Sequence, residues 1–125
     1  KGWPDANFAQ YLDDPTVIIC GDETCFTVLR VTAPEAEILT LATHPDAQGK
    51  GLASQMMVDA FNQLKTAGVE EVFLDVAEDN AAARALYSRC GFNEFATRNN
   101  YYANGATAIC MKLVLSATSP TDKIT

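Results

Sequence analysis

Apolar residues recur at two different spacings along this chain, and the change from one to the other divides it into elements. Thr16–Cys20, Thr24–Thr32 and Glu37–Thr43 are short runs of strand character. Gly21-Asp22-Glu23 and Ala33-Pro34-Glu35-Ala36 join them with turn-forming residues, which predicts an antiparallel meander. Ahead of them, Trp3-Pro4-Asp5 reads as a helix start, with proline near the first turn and an acid beside the positive end. Phe8, Tyr11 and Leu12 share one face of that helix, and Asp13-Asp14-Pro15 ends it.

After Pro45 the period lengthens. Leu52, Met56, Met57, Ala60, Phe61, Leu64 and Ala67 mark an amphipathic helix that Gly68 closes. Val69–Ala77 reads as a strand, Asn80–Cys90 as a second helix closed by Gly91, and Phe92–Thr97 as another strand. The polar and aromatic loop Asn99–Gly105 leads to a last strand, Ala108–Leu115. Strands followed by helix–strand alternation predict an α/β fold on a mixed sheet. Residues 1–115 read as one domain, and Ser116–Thr125 as a polar tail that frays.

Composition narrows the function classes. With 125 residues, 48% hydrophobic and 20% charged, the chain can bury one core; folding at this size removes about two-thirds of the unfolded surface from water. The longest apolar runs, Thr16–Cys20 and Ile109–Leu115, fall well short of the roughly 18 residues of a membrane span. Nine basic against sixteen acidic residues leave a formal charge of −7. Such a surface repels nucleic-acid phosphates and attracts a basic peptide or protein. Cys20, Cys25, Cys90 and Cys110 form no C-x-x-C pair and neighbour no histidine cluster, so no metal site is expected. The chain opens on Lys1 without a secretory leader, and a cytoplasmic protein with reduced thiols is the expectation.

One stretch is arranged for an anion. Gln48-Gly49-Lys50-Gly51-Leu52-Ala53 lies between a strand and a helix, where glycines permit a tight turn and close approach of a ligand. The first amides of the following helix lack intrahelical partners and carry partial positive charge, so a pyrophosphate can sit there. A nucleoside-triphosphate loop is excluded because Gly51, and not Ser or Thr, follows Lys50. The dinucleotide fingerprint fails as well, since Ala53 and Ser54 do not supply its third glycine. Without further context the same residues also serve as a plain glycine turn into a helix.

The context is more specific. Gln48-x-x-Gly51-x-Ala53 resembles the acyl-coenzyme A loop, Gln/Arg-x-x-Gly-x-Gly/Ala, of the GNAT superfamily of N-acetyltransferases. Leu39-Thr40-Leu41-Ala42-Thr43-His44-Pro45 before it is similar to that family's preceding strand. Leu74-Asp75-Val76, the run from Asn80 to Tyr87, and Cys90-Gly91-Phe92 follow at matching distances. Asn100-Tyr101-Tyr102 before the last strand completes a likeness to the RimI-type ribosomal-protein alanine N-acetyltransferases. The resemblance covers residues 36–115 and, loosely, Trp3–Leu12. It implies a GNAT fold: a mixed, mostly antiparallel sheet with helices on both faces, splayed between Glu37–Thr43 and Val69–Ala77. Family members carry a further strand and helix before the Trp-containing segment, so an N-terminal strand is expected to precede the residues present.

The implied activity is direct acetyl transfer from acetyl-CoA to a protein N-terminal α-amine, such as the N-terminal alanine of a ribosomal protein. A small-molecule amine or a lysine is the alternative acceptor, and a non-catalytic acyl-CoA-binding module the more remote one. The resemblance further implies that the amides of Gly49, Gly51, Leu52 and Ala53 hold the pyrophosphate, with Gln48 and Lys50 beside them. It places Leu41, Ala42 and Thr43 along the pantetheine arm, and Asn80 against the cofactor. Read from the residues alone, Asn80 is a helix N-cap, and both roles are compatible.

Two side chains carry the implied chemistry. Tyr87 matches the family's proton donor to the departing thiolate, a task that suits a phenol of pKa about 10. A helix tyrosine without that context packs in a core. Asp75 interrupts the apolar run Val72–Val76, where a carboxylate must be paired, solvated or used. The resemblance makes it the general base, where RimI-type enzymes carry the longer Glu, so a water relay is expected to reach the amine. A buried Asp satisfied by backbone is the alternative. His44 reads as a loop residue and Cys90 as a packed thiol. Arg98, Asn99, Asn100, Tyr101 and Tyr102 either shape an acceptor entrance or form an ordinary exposed loop.

Overall fold

The computed structural model describes residues 13–115. The helix expected over Trp3–Leu12 and the tail from Ser116 lie outside the described residues. In chain order the elements are β1 (Val17–Gly21), β2 (Cys25–Thr32), β3 (Glu35–Thr43), α1 (Leu52–Thr66), β4 (Glu71–Ala77), α2 (Ala81–Arg89), β5 (Asn93–Arg98) and β6 (Ala108–Val114). A short 3-10 turn, Pro45–Ala47, precedes the glycine loop.

The strands form one sheet in the order β1-β2-β3-β4-β6-β5. β1, β2 and β3 make the expected antiparallel meander. α1 carries the chain across to β4, which lies parallel to β3, while β6 pairs antiparallel with both β4 and β5. The mixed, mostly antiparallel sheet of a GNAT fold is present. β3 begins two residues before Glu37, because Thr32 and Glu35 already pair across Ala33-Pro34. β4 begins two residues after Val69. The Val69 amide donates to the Leu64 carbonyl at 2.9 Å and so belongs to the end of α1.

Burial alternates strictly along β4. Val72, Leu74 and Val76 are buried, whereas Glu71, Phe73, Asp75 and Ala77 between them are partly exposed. A strand presents successive side chains to opposite faces, so β4 offers one continuous apolar row. Met56, Met57, Ala60 and Leu64 of α1 and Tyr87 of α2 join that row in a single cluster with Leu29, Ile38, Ile109 and Met111. Ring contacts from Phe92 to Phe61 at 6.1 Å and to Tyr87 at 5.7 Å knit the two helices together. Among the described residues, then, α1 and α2 lie on one face. The reason is that both apolar stripes meet the same row of the sheet.

The sheet is not continuous. β3 and β4 pair only at Glu35/Glu71, Ala36/Val72 and Glu37/Phe73. Just past that point β3 bulges: Leu29 faces Ile38 and Val28 faces Thr40, so Leu39 is the extra residue. Beyond the bulge no β3–β4 pairing continues, and a slit opens between the strands. This is the splay expected between the two segments.

Candidate active site

The slit belongs to a cavity of about 710 Å3 that reaches both faces of the sheet. Leu74 and Val76 line it from the helical face, and Asp75 lines it from the other.

One end is suited to a negative group. Gly49 and Gly51 adopt left-handed φ values of 81° and 76° with open space where a side chain would stand. Backbone conformation, not crowding, therefore calls for glycine. Gly51 caps α1 without any side-chain hydrogen bond, and no acidic residue occupies the first turn. The opening amides of α1 thus keep the partial positive charge of a helix N-terminus. Gln48 ties the loop to β3 by donating from Nε2 to the Thr43 carbonyl at 3.1 Å. Leu41, Thr43, Gln48, Gly49, Gly51, Leu52 and Ala53 all line the cavity. Ala42 and Lys50 are not among the lining residues. Ala42 alternates with Leu41 across the strand and faces Phe26, and Lys50 is an exposed loop residue.

α2 forms the opposite wall. The Asn80 side chain accepts from the Ala83 amide at 3.1 Å, which makes it the N-cap, and the residue also lines the cavity. Two turns later Tyr87 borders the same space with its ring packed on Phe92. Burial pushes its phenol up to about 12, with smaller contributions from Cys90 and Tyr102. Such a phenol is fully protonated at neutral pH: it can donate a proton but cannot act as a base.

Asp75 and Tyr87 come from opposite faces of the sheet, yet the slit lets both line one cavity. Tyr102 links them. Burial first, and then the Asp75 charge, raise its phenol, while Tyr102 itself contributes to the raised value of Tyr87. The loop holds Tyr102 through amide donation to the Ala106 carbonyl at 3.2 Å and acceptance from the Gly105 amide at 2.8 Å. Tyr101 stands edge-on to it at 5.1 Å, and the Arg98 guanidinium lies 5.5 Å from the Tyr101 ring. Asp75 is half-buried, and its charge reaches Arg98, Cys110 and Tyr102.

The lesser candidates take plainer places. His44 Nδ1 accepts from the Asp46 amide at 3.1 Å, capping the 3-10 turn. Cys90 closes α2 against the core, and burial raises its thiol away from the reactive thiolate. The four cysteines form no disulfide.

A model described as the acetyltransferase (GNAT) family matches residues 7–92. The chain belongs to this family. A ribosomal protein bS18-alanine N-acetyltransferase of Salmonella typhimurium is 38% identical over 94 residues, 73% of this chain and 64% of that protein. The Escherichia coli (strain K12) protein of the same name is 38% identical over 82 residues, 66% and 55% of the two chains. The chain thus spans 55–64% of the length of these relatives. A crystal structure of the ribosomal-protein-S18-alanine N-acetyltransferase from Escherichia coli superposes with a TM-score of 0.79 at 31% identity, over 96% of this chain and 82% of that one.

Several lining residues of this GNAT domain lie inside the segments that resemble the family's motifs without a role assigned to them, and Arg89 lies outside those segments. Ala82, Ala83, Leu86 and Arg89 of α2 border the cavity, as do Leu39 and Thr40 at the bulge. The alanines did leave a signal, because two small residues just after the Asn80 cap open room beside the helix. The bulge left none; it is a matter of strand register.

Proposed function

We propose that the chain transfers an acetyl group from acetyl-CoA to the α-amine at a protein N-terminus. The observation that carries the reading is one cavity with an uncapped helix start at one end and both Asp75 and a protonated Tyr87 along its walls. The acid-poor first turn of α1 suits the coenzyme pyrophosphate despite the chain's charge of −7. Backbone groups of β3 beyond Glu37, unclaimed by β4, are available to the pantetheine arm and to the thioester oxygen.

In this scheme Asp75, through a water, takes a proton from the amine as its nitrogen attacks the thioester carbon. The C–N bond forms, the C–S bond breaks, and Tyr87 protonates the departing sulfur. The burial that raises the phenol also raises the basicity of a thiolate formed beside it, so the two remain matched. The phenolate then regains a proton from solvent. The names of the relatives, which act on an alanine of ribosomal protein bS18, support a ribosomal N-terminus as acceptor. A cytoplasmic setting with reduced thiols fits that substrate.

The test is mass spectrometry of alanine-initiated peptides, lysine peptides and polyamines incubated with acetyl-CoA and the protein. Acetyl on the α-nitrogen of the alanine peptides is expected. Acetyl confined to lysine or to small amines overturns the acceptor, and coenzyme binding without any transfer overturns the activity.

A further inference from the structure

β3 loses its β4 neighbour where the cavity begins, so what holds it there must come from β2. Glu37/Phe73 is the last β3–β4 pair, and the bulge at Leu39 follows. Thr40 and Leu41, next along the strand, both line the cavity. A strand inside a sheet is held by backbone hydrogen bonds along both edges, whereas this stretch is held along one. A bulge disrupts the ladder locally and loosens that one edge as well.

Thr27 of β2 supplies an additional hold. Its hydroxyl donates to the Thr40 carbonyl at 2.9 Å, across the strand pair. The side chain is fully buried; cysteines and Tyr87 apart, it is the one buried polar residue among the described residues. Thr27 faces Leu41 across the ladder, and Leu41 packs on the cluster under the helices. Directly opposed residues share a face, so the hydroxyl reaches the carbonyl from the helical side. Further along the same strand pair, Cys25 Sγ lies 3.3 Å from Thr43 Oγ1, a second side-chain contact from β2 onto the unpaired end of β3.

The Thr27 bond also fixes a direction. The Thr40 carbonyl must point toward β2 to accept it. In a planar trans peptide the N–H of the next residue points the opposite way, so the Leu41 N–H points into the slit. Two bonds further along agree with this alternation. The His44 amide donates back to the Thr24 carbonyl at 2.7 Å, while the Thr43 carbonyl points away from β2 and accepts from Gln48. Leu41 and Thr43 therefore present their backbone groups to the open side.

We propose that Thr27 is a positioning residue for acetyl transfer: its hydroxyl holds the Thr40–Leu41 peptide so that the Leu41 N–H meets the thioester oxygen in the slit. The proposal rests on the reading of this chain as an acetyltransferase that binds the thioester beside β3. Thr27 does not line the cavity, so it acts through the peptide and not on the substrate. Negative charge develops on the thioester oxygen as the amine attacks, and a donor already fixed in place stabilises that charge without reorienting.

The test compares Thr27→Val, which keeps the shape and removes the hydroxyl, with Thr27→Ser, which keeps the hydroxyl. Three quantities are measured on the full chain: the infrared stretch of a carbon-13 thioester carbonyl in bound acetyl-CoA, the acetyl-CoA dissociation constant by calorimetry, and kcat with an alanine-initiated peptide. Binding to the native chain should lower the carbonyl frequency. Thr27→Val should lose most of that lowering and about tenfold or more in kcat, with the dissociation constant within about twofold of native. Thr27→Ser should keep the lowering and most of kcat, although it deletes a buried methyl group. Should Thr27→Val fail to fold, Thr27→Ala takes its place in the comparison. A frequency lowered equally in native and hydroxyl-free chains, or not lowered at all in the native chain, overturns the proposal, and so does a Thr27→Ser chain as impaired as Thr27→Val. A native chain that binds acetyl-CoA but transfers nothing overturns the activity, while the carbonyl frequencies still decide the role of Thr27. A native chain that binds no acetyl-CoA overturns both.

Discussion

Tyr87 gives up its proton only near pH 12, about two units above an exposed phenol, because packing against Phe92 removes it from water. Two outcomes follow at this single residue. Tyr87→Phe should lower kcat by about a hundredfold or more, the usual cost of a lost proton donor, with coenzyme affinity unchanged by calorimetry. Equal rates would take Tyr87 out of the mechanism. The same shift sets a pH dependence of stability. Above pH 10 the unfolded chain ionises this phenol and the folded chain does not, so folding free energy should fall by up to ~1.4 kcal/mol per pH unit until about pH 12. Denaturant melts at pH 9 and pH 11 should show that loss in the native chain and less of it in Tyr87→Phe. The spacing from Asn80 made Tyr87 legible as a candidate. Its raised pKa was not, since Phe92 and Tyr102 reach it only through the fold. Cys110 was legible only as a cysteine, because its place opposite Asp75 is a strand-register fact.

Among the elements, the loop and the start of α1 carry the coenzyme end of the reading. Gly51→Ala forces a Cβ into a left-handed conformation and should cost about 1–2 kcal/mol of stability, along with weaker acetyl-CoA binding. Asn80→Ala removes the cap of α2 and should cost about 1 kcal/mol. Thermal unfolding with and without acetyl-CoA distinguishes the two. A smaller ligand-induced rise in Tm than that of the native chain is expected for Gly51→Ala, and a rise equal to the native one would argue against the loop as the anion site. Turn chemistry and periodicity made all eight described strands and helices readable, to within two residues at each boundary. They could not show that both helices share one face, because amphipathicity says which side of a helix is apolar but not which side of a sheet it meets. Nor could they place the Leu39 bulge, which depends on pairing with Val28 and Leu29.

For the whole molecule, the charge of −7 bears on the acceptor more than on the coenzyme. The KM for a basic N-terminal peptide should rise severalfold as salt screens the attraction, and the KM for a neutral peptide of equal length should stay flat. Parallel curves would mean that the acidic surface plays no part in acceptor capture. The sequence by itself determined the elements, the loop that suits an anion, the spacing from Asn80 to Tyr87 and the family to which these belong. All of these are local or periodic properties that a chain carries before it folds. The tertiary structure decided the rest: where β3 and β4 part, that an acid and a phenol from opposite faces border one cavity, and that Cys110 stands opposite Asp75 on the neighbouring strand. Those facts are pairings between residues far apart in the chain, and only strand order and register bring them into contact.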